Sequence, residues 1–143
     1  MKIAFDLDGV LTPDYRKIPG LTKEEFYKLT AYAKPLFCPK GEYDIITARD
    51  IKYKAITDKW ANQLENQPER IFFKTTNKIS AAEYKFTILY KGGYKVYIES
   101  DQAIIDEITR LNKATWPSMD LTILRFADFV NSNLKDIYCG GVR

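Results

Sequence analysis

Two rhythms alternate along this chain. Short apolar runs read as buried strands: Lys2 to Asp6, Tyr43 to Thr47, Arg70 to Phe73, Tyr94 to Ile98 and Leu121 to Phe126. Between them, apolar residues recur at helical spacing. Thr22 to Ala33 opens on Thr22…Glu25, the spacing of a capping box, with Pro35 just beyond its end. Ile51 to Leu64 places Tyr53, Ile56, Trp60 and Leu64 on one face. Ser80 to Tyr90 starts on a second capping box, Ser80…Glu83, and closes at Gly92-Gly93. Asp101 to Leu111 is a further helix, and the tail from Ala127 holds a short one before Cys139-Gly140-Gly141.

This alternation predicts an α/β fold, a three-layer sandwich around a mostly parallel five-stranded sheet. The 143 residues suit one domain spanning 1–143. In open sheets of this class, ligands bind beyond the carboxyl ends of the strands. The residues that end the runs are polar: Asp6 and Asp8, then Thr47, then Lys74-Thr75-Thr76, then Glu99-Ser100-Asp101. The topology would gather them along one edge, and the set suits a metal and a phosphate.

Asp6-Leu7-Asp8-Gly9 is the sharpest of these signals. Two carboxylates at i and i+2 lie on one side of an extended strand, and Gly9 lets the backbone turn. A calcium loop of the EF-hand type is excluded, since its fifth and twelfth positions would hold Val10 and Lys17. Ordinary turn residues are the plain alternative, but an apolar strand leads directly into Asp6.

Composition narrows the chemistry. There are no histidines, so acid–base work falls to carboxylates, lysine, tyrosine or cysteine. The net charge of +3 is too small to indicate nucleic-acid binding by itself, though it leaves room for a basic rim that accepts phosphate. Cys38 and Cys139 make neither a disulfide framework nor a metal-ligand spacing. No run approaches the roughly 18 apolar residues of a membrane span. Asp6 interrupts the only apolar stretch near the N-terminus, which argues against a secretory signal. A reduced, cytoplasmic setting without a membrane is expected.

Phe5-Asp6-Leu7-Asp8-Gly9-Val10, followed by the strand-end Ile45-Ile46-Thr47-Ala48-Arg49, resembles the first two motifs of the haloacid dehalogenase superfamily of aspartate-nucleophile phosphotransferases. The likeness runs from Lys2 to about Leu111 and keeps the motifs in order. It implies a magnesium-dependent phosphomonoester phosphatase acting through an aspartyl-phosphate, on nucleotides, polynucleotide ends or other phosphorylated substrates. Asp6 would be the nucleophile and Asp8 the general acid and base. Thr47, Arg49 and Gly9 would meet the substrate. Lys85 or Lys78 would supply the lysine, with Lys85 preferred. Mg²⁺ would be held by Asp6, by Asp8 through its carbonyl, and by Glu99 or Asp101. Asp106 is a distant further acid.

The fourth motif departs from the common pattern, because Glu99 and Asp101 flank Ser100, and Asp101 also suits a helix N-cap. That departure leaves room for a second reading, a catalytically weakened binding or regulatory protein. Only one helix fits between Gly9 and Tyr43, and one between Phe73 and Tyr94, so a capless, open site is expected. Tyr15, Arg16 and Lys17 are then candidate substrate contacts, with an ordinary solvated loop the favoured reading for each alone. Oligomeric state is left open by the sequence.

Overall fold

Along the first strand, alternate side chains serve different layers, and this determines where everything else packs. In the computed structural model, which describes residues 2–15 and 18–138, β1 is Ile3–Phe5. Ile3 and Phe5 enter one apolar cluster and Ala4 the opposite one. The same split recurs in β2 (Asp44–Asp50), with Ile45 on one side and Ile46 on the other. It recurs again in β4 (Val96–Glu99), where Val96 and Ile98 oppose Tyr97. A strand buried on both faces needs helices on both.

β3 is Arg70–Lys74 and β5 is Thr122–Arg125. The five strands run in the order β3-β2-β1-β4-β5 and every pairing is parallel. Helix α1 spans Lys23–Thr30, α2 Lys54–Ala61, α3 Ala81–Gly92 and α4 Gln102–Lys113. Two short helices follow, α5 (Phe126–Val130) and α6 (Asn133–Tyr138). α2 and α5 cover the Phe5 face through Trp60, Ala61 and Phe129. α3 and α4 cover the other through Ala82, Tyr84, Leu89 and Ile108. The chain is thus a three-layer α/β sandwich around a five-stranded parallel sheet.

Phe5 anchors the centre. Its ring meets those of Phe37, Tyr43 and Phe129 edge-on at 5.2, 5.7 and 5.6 Å. Burying a side chain of this size stabilises by about 1.5–3 kcal/mol, so the strand that leads to Asp6 is firmly held.

The capping signals act locally. Thr22 accepts from the Glu25 N–H at 3.2 Å, and Ser80 from the Glu83 N–H at 3.1 Å. Gly93 closes α3 in the left-handed region, with φ of 65°. Some boundaries shift from the sequence reading. β2 continues past Thr47 to Asp50 through an irregularity in its pairing with β3. The segment after it starts as a 3₁₀ turn, Ile51–Tyr53, before becoming α2. Phe126, expected to end the fifth strand, begins α5 instead. Between β1 and β2 the described residues hold α1 as the only α-helix, and between β3 and β4 only α3.

Candidate functional site

Asp6 is the first residue beyond β1, and its N–H still joins the ladder by donating to the Ile98 carbonyl at 2.8 Å. A tight loop follows. The Leu7 carbonyl accepts from the N–H groups of Val10, Leu11 and Thr12, and the Gly9 N–H returns to the Thr12 carbonyl at 2.7 Å. Gly9 has φ of +83°, and a Cβ there would lie 2.8 Å from the Ser100 hydroxyl. Only glycine fits both the turn and that approach. Its contribution is therefore to dock the first loop on the end of β4, and it does not line the pocket described next.

That pocket holds about 160 Å³ at the carboxyl edge of the sheet. Asp6, Asp8, Thr47, Arg49, Lys85, Glu99 and Asp101 all line it, with Lys23 at its rim. Residues from three strand ends and from α1, α3 and α4 converge there.

Lys85 is the hinge of the charge distribution. It sits in the first half of α3, 2% exposed, and its Nζ donates to Asp6 Oδ1 at 2.9 Å and Glu99 Oε1 at 2.6 Å. Lys78 lies outside the pocket, exposed, with its backbone N–H on the Thr76 hydroxyl at 3.1 Å. Geometry therefore chooses between the two lysines that sequence left open.

Glu99 is completely buried. Its Oε1 also accepts from the Tyr97 hydroxyl at 3.1 Å, and its Oε2 takes the N–H groups of Ser100 and Asp101 at 2.8 and 3.1 Å. Burial opposes ionisation of Glu99, but the Lys85 ammonium, with hydrogen bonds from Asp6, Lys85 and the Asp101 N–H, outweighs it and holds the carboxyl below its usual range. Asp6 takes the opposite course. Burial first, then the Glu99 charge, push its carboxyl well above the ordinary aspartate value despite Lys85. Burial likewise works against the Lys85 ammonium, yet the two carboxylates more than compensate and raise its pKa. One cation serves two buried acids. Asp6 is the one left short.

Asp8 is handled separately. Arg49 donates to it from Nε and Nη2 at 3.0 and 2.6 Å, and Thr12 adds a hydroxyl contact at 3.3 Å. Arg49 is 3% exposed; its remaining bonds go to Thr57 at 3.0 Å and Thr30 at 3.1 Å, and its guanidinium lies over the Tyr27 ring. The expected substrate contact thus divides its donors between Asp8 and two buried threonines. Thr47, buried, accepts the Arg49 N–H at 3.2 Å and keeps its own hydroxyl proton for another acceptor.

Asp101 is the N-cap of α4, accepting from the Ala103 N–H at 2.9 Å, and also lines the pocket. Its capping and site roles coexist. Asp106 lies outside the pocket lining, bonded to Gln102. Tyr15 packs against Phe26, while Arg16 and Lys17 fall outside the described residues.

The sequence reading named Ser100 only as a strand-end polar residue, and it missed Tyr97 and the Thr12, Thr30 and Thr57 hydroxyls around Asp8 and Arg49. Ser100 donates to the Asp8 carbonyl at 3.1 Å and so ties the first loop to the fourth strand. Tyr97 had a signal, since it lies two residues before Glu99 and hence on the same side of β4. The threonines had none, because they meet only in three dimensions.

Four carboxylates face three cations around the pocket. Among the described residues no three acidic or cysteine side chains are grouped as a self-sufficient metal cage. The donor set is nevertheless hard oxygen: the Asp6 and Asp101 carboxylates and the Asp8 carbonyl. With the charge deficit at Asp6, it fits Mg²⁺, which accepts few protein ligands and keeps several waters.

No family model matches the chain, and no curated protein matches it. Among solved structures, a chain from the "Structure of the Pnkp1/Rnl/Hen1 RNA repair complex" is similar, with a TM-score of 0.61 at 12% identity. The alignment covers 87% of this chain and 42% of that one, so this chain spans less than half of its neighbour's length. Similarity at that identity establishes a shared α/β fold. No helix among the described residues is long and apolar enough to cross a membrane.

Proposed function

We propose that this chain is a magnesium-dependent phosphomonoesterase of the haloacid dehalogenase type, with Asp6 as nucleophile. The observation that carries the reading is the meeting of Asp6, Thr47, Lys85, Glu99 and Asp101 around one pocket large enough for a phosphoryl group. Asp6 attacks phosphorus, the bond to the leaving alkoxide breaks, and an aspartyl-phosphate forms. Asp8, oriented by Arg49, gives its proton to the leaving oxygen and then takes one from the water that hydrolyses the intermediate. The Thr47 hydroxyl donates to a phosphoryl oxygen. Lys85 offsets charge on the transferring group while Glu99 holds the ammonium in place.

Asp6, the Asp8 carbonyl and Asp101 would hold the metal, with Glu99 acting behind them through Lys85. When bound there, Mg²⁺ would supply positive charge that favours the ionised form of Asp6 and screens it from an anionic phosphate. The neighbour's membership in an RNA repair complex makes a phosphorylated nucleic-acid end one substrate class to test beside mononucleotides.

Purified protein should release phosphate from an aryl phosphate with Mg²⁺ present, and Asp6→Asn should abolish release. Full activity in excess chelator would overturn the mechanism. One observation favours a second reading. Arg49 engages both carboxylate oxygens of Asp8, which suits a protein that binds phosphate without turning it over. Binding of a phosphate analogue with Mg²⁺, but no release across a broad substrate panel, would select that reading.

A further inference from the structure

A second hollow of about 230 Å³ abuts the first and shares Lys23, Tyr27, Ala48 and Ala81 with it. Its charge is of the opposite sign. Lys23 begins α1, Lys52 lies in the 3₁₀ turn after β2, and Lys74 ends β3, so three separate elements each direct a lysine to this hollow. Asp50 is the one acid in its lining, and that carboxylate already caps the turn by accepting the Lys52 N–H at 2.9 Å. None of the three lysines makes an ion pair among the described residues. Lys52 is placed over the Tyr53 ring, 5.1 Å from its centroid.

The acid-rich pocket and the lysine-lined hollow together describe the charge pattern of a ligand. We infer that the hollow is a subsite for a second phosphate, so that the preferred substrate is a phosphomonoester whose alcohol half carries another phosphate one nucleotide or less away. This rests on the phosphomonoesterase reading and deepens it. The reacting phosphoryl enters among the acids, where a metal supplies charge. The flanking phosphate needs no metal, because ammonium groups meet it directly. A nucleobase is a poor occupant. Tyr27 and Tyr53 pack on each other with centroids 4.2 Å apart and are each 7% exposed, so they form a floor and offer no open stacking face.

The test compares thymidine 3′-monophosphate, thymidine 5′-monophosphate, thymidine 3′,5′-bisphosphate and a dinucleotide with a terminal phosphate. The native chain should favour the bisphosphate or the dinucleotide over the better monophosphate by about tenfold in kcat/KM at low salt, mostly through KM. The two doubly phosphorylated arms separate a small-molecule substrate from a polynucleotide end. In the Lys52→Ala/Lys74→Ala chain that ratio should fall to about one. The Lys52→Arg/Lys74→Arg chain should keep it. Taking the ratio within each chain cancels any loss of folded protein. Equal use of all four by the native chain, or an undiminished ratio in the alanine chain, would overturn the subsite. Calorimetric titration of the same compounds into Asp6→Asn protein, which lacks the carboxylate that repels phosphate, reads the preference as affinity without turnover. A chain that prefers the bisphosphate there yet releases no phosphate keeps the subsite and loses the phosphatase.

Discussion

The two edges of the sheet each bury acids beneath a hollow, and they treat those acids differently. At the amino edge, Asp44 begins β2 at 4% exposed, below a hollow of about 510 Å³. Arg70 Nη2 reaches it at 3.2 Å and the Tyr94 hydroxyl donates to it, while Lys2 covers the Tyr94 ring at 4.4 Å. Burial, with Asp44 beside it, raises the Tyr94 pKa and keeps the phenol a donor. One acid has one cation and one hydroxyl, so the balance closes. At the carboxyl edge, Asp6 and Glu99 share the one ammonium of Lys85, and burial with the Glu99 charge drives Asp6 toward its protonated form. A larger hollow therefore says less about chemistry than two buried acids on one cation do. The amino edge closes its own charges, whereas the carboxyl edge keeps two buried acids on one ammonium, the feature on which the proposed site rests.

The largest difference between the edges should come from deleting the shared cation. Lys85→Met leaves two buried carboxyl groups without their cation and should cost about 3–5 kcal/mol in chemical denaturation at neutral pH. A cost below about 1 kcal/mol would show that the carboxyl edge is not the tightly coupled unit described. Next comes the metal. Mg²⁺ at about a hundred times its dissociation constant should stabilise the native chain by about 2.7 kcal/mol. The gain should vanish in Asp6→Asn and survive in Asp44→Asn. A thermal shift that persists in Asp6→Asn would move the metal elsewhere.

A smaller effect runs against intuition. Because the folded state raises the Asp6 pKa above the unfolded value near 3.8, the unfolded chain releases that proton more readily. Stability is lost as pH rises through the window from that value to the folded pKa, and the full penalty applies above it. Metal-free Asp6→Asn should therefore be more stable than the native chain at neutral pH, by about 1–2 kcal/mol. The advantage should fade as pH falls toward 4. Denaturation midpoints across that range read the sign directly, and a loss of stability at neutral pH would contradict it. The smallest effect belongs to the amino edge. The Arg70 side chain is 55% exposed, so Arg70→Ala should leave the midpoint unchanged within error.

Much of the carboxyl edge was legible because its signals are local. The strand before Asp6, the caps at Thr22 and Ser80 and the glycines closing α3 each depend on neighbours within a few residues. The preference for Lys85 over Lys78 came from the family resemblance, and the structure adds a periodic reason for its burial. Ala82, Lys85 and Leu89 fall at i, i+3 and i+7, which puts a lysine on the buried stripe of α3. Arg49 was read as a substrate contact, yet its partner is Asp8, 41 residues away. No spacing rule links those positions. The end of β2 was placed early because Thr47 breaks the apolar run, whereas pairing with β3 carries the strand on to Asp50.

By itself, the sequence determined the alternation of strands and helices and the acids waiting at the strand ends. Those follow from backbone periodicity and burial, which act along the chain. Tertiary structure alone decided how charge is shared: Lys85 between Asp6 and Glu99, Arg49 on Asp8, and three lysines around the adjoining hollow. Electrostatic balance depends on distance and desolvation in three dimensions, and both are fixed only when the sheet assembles.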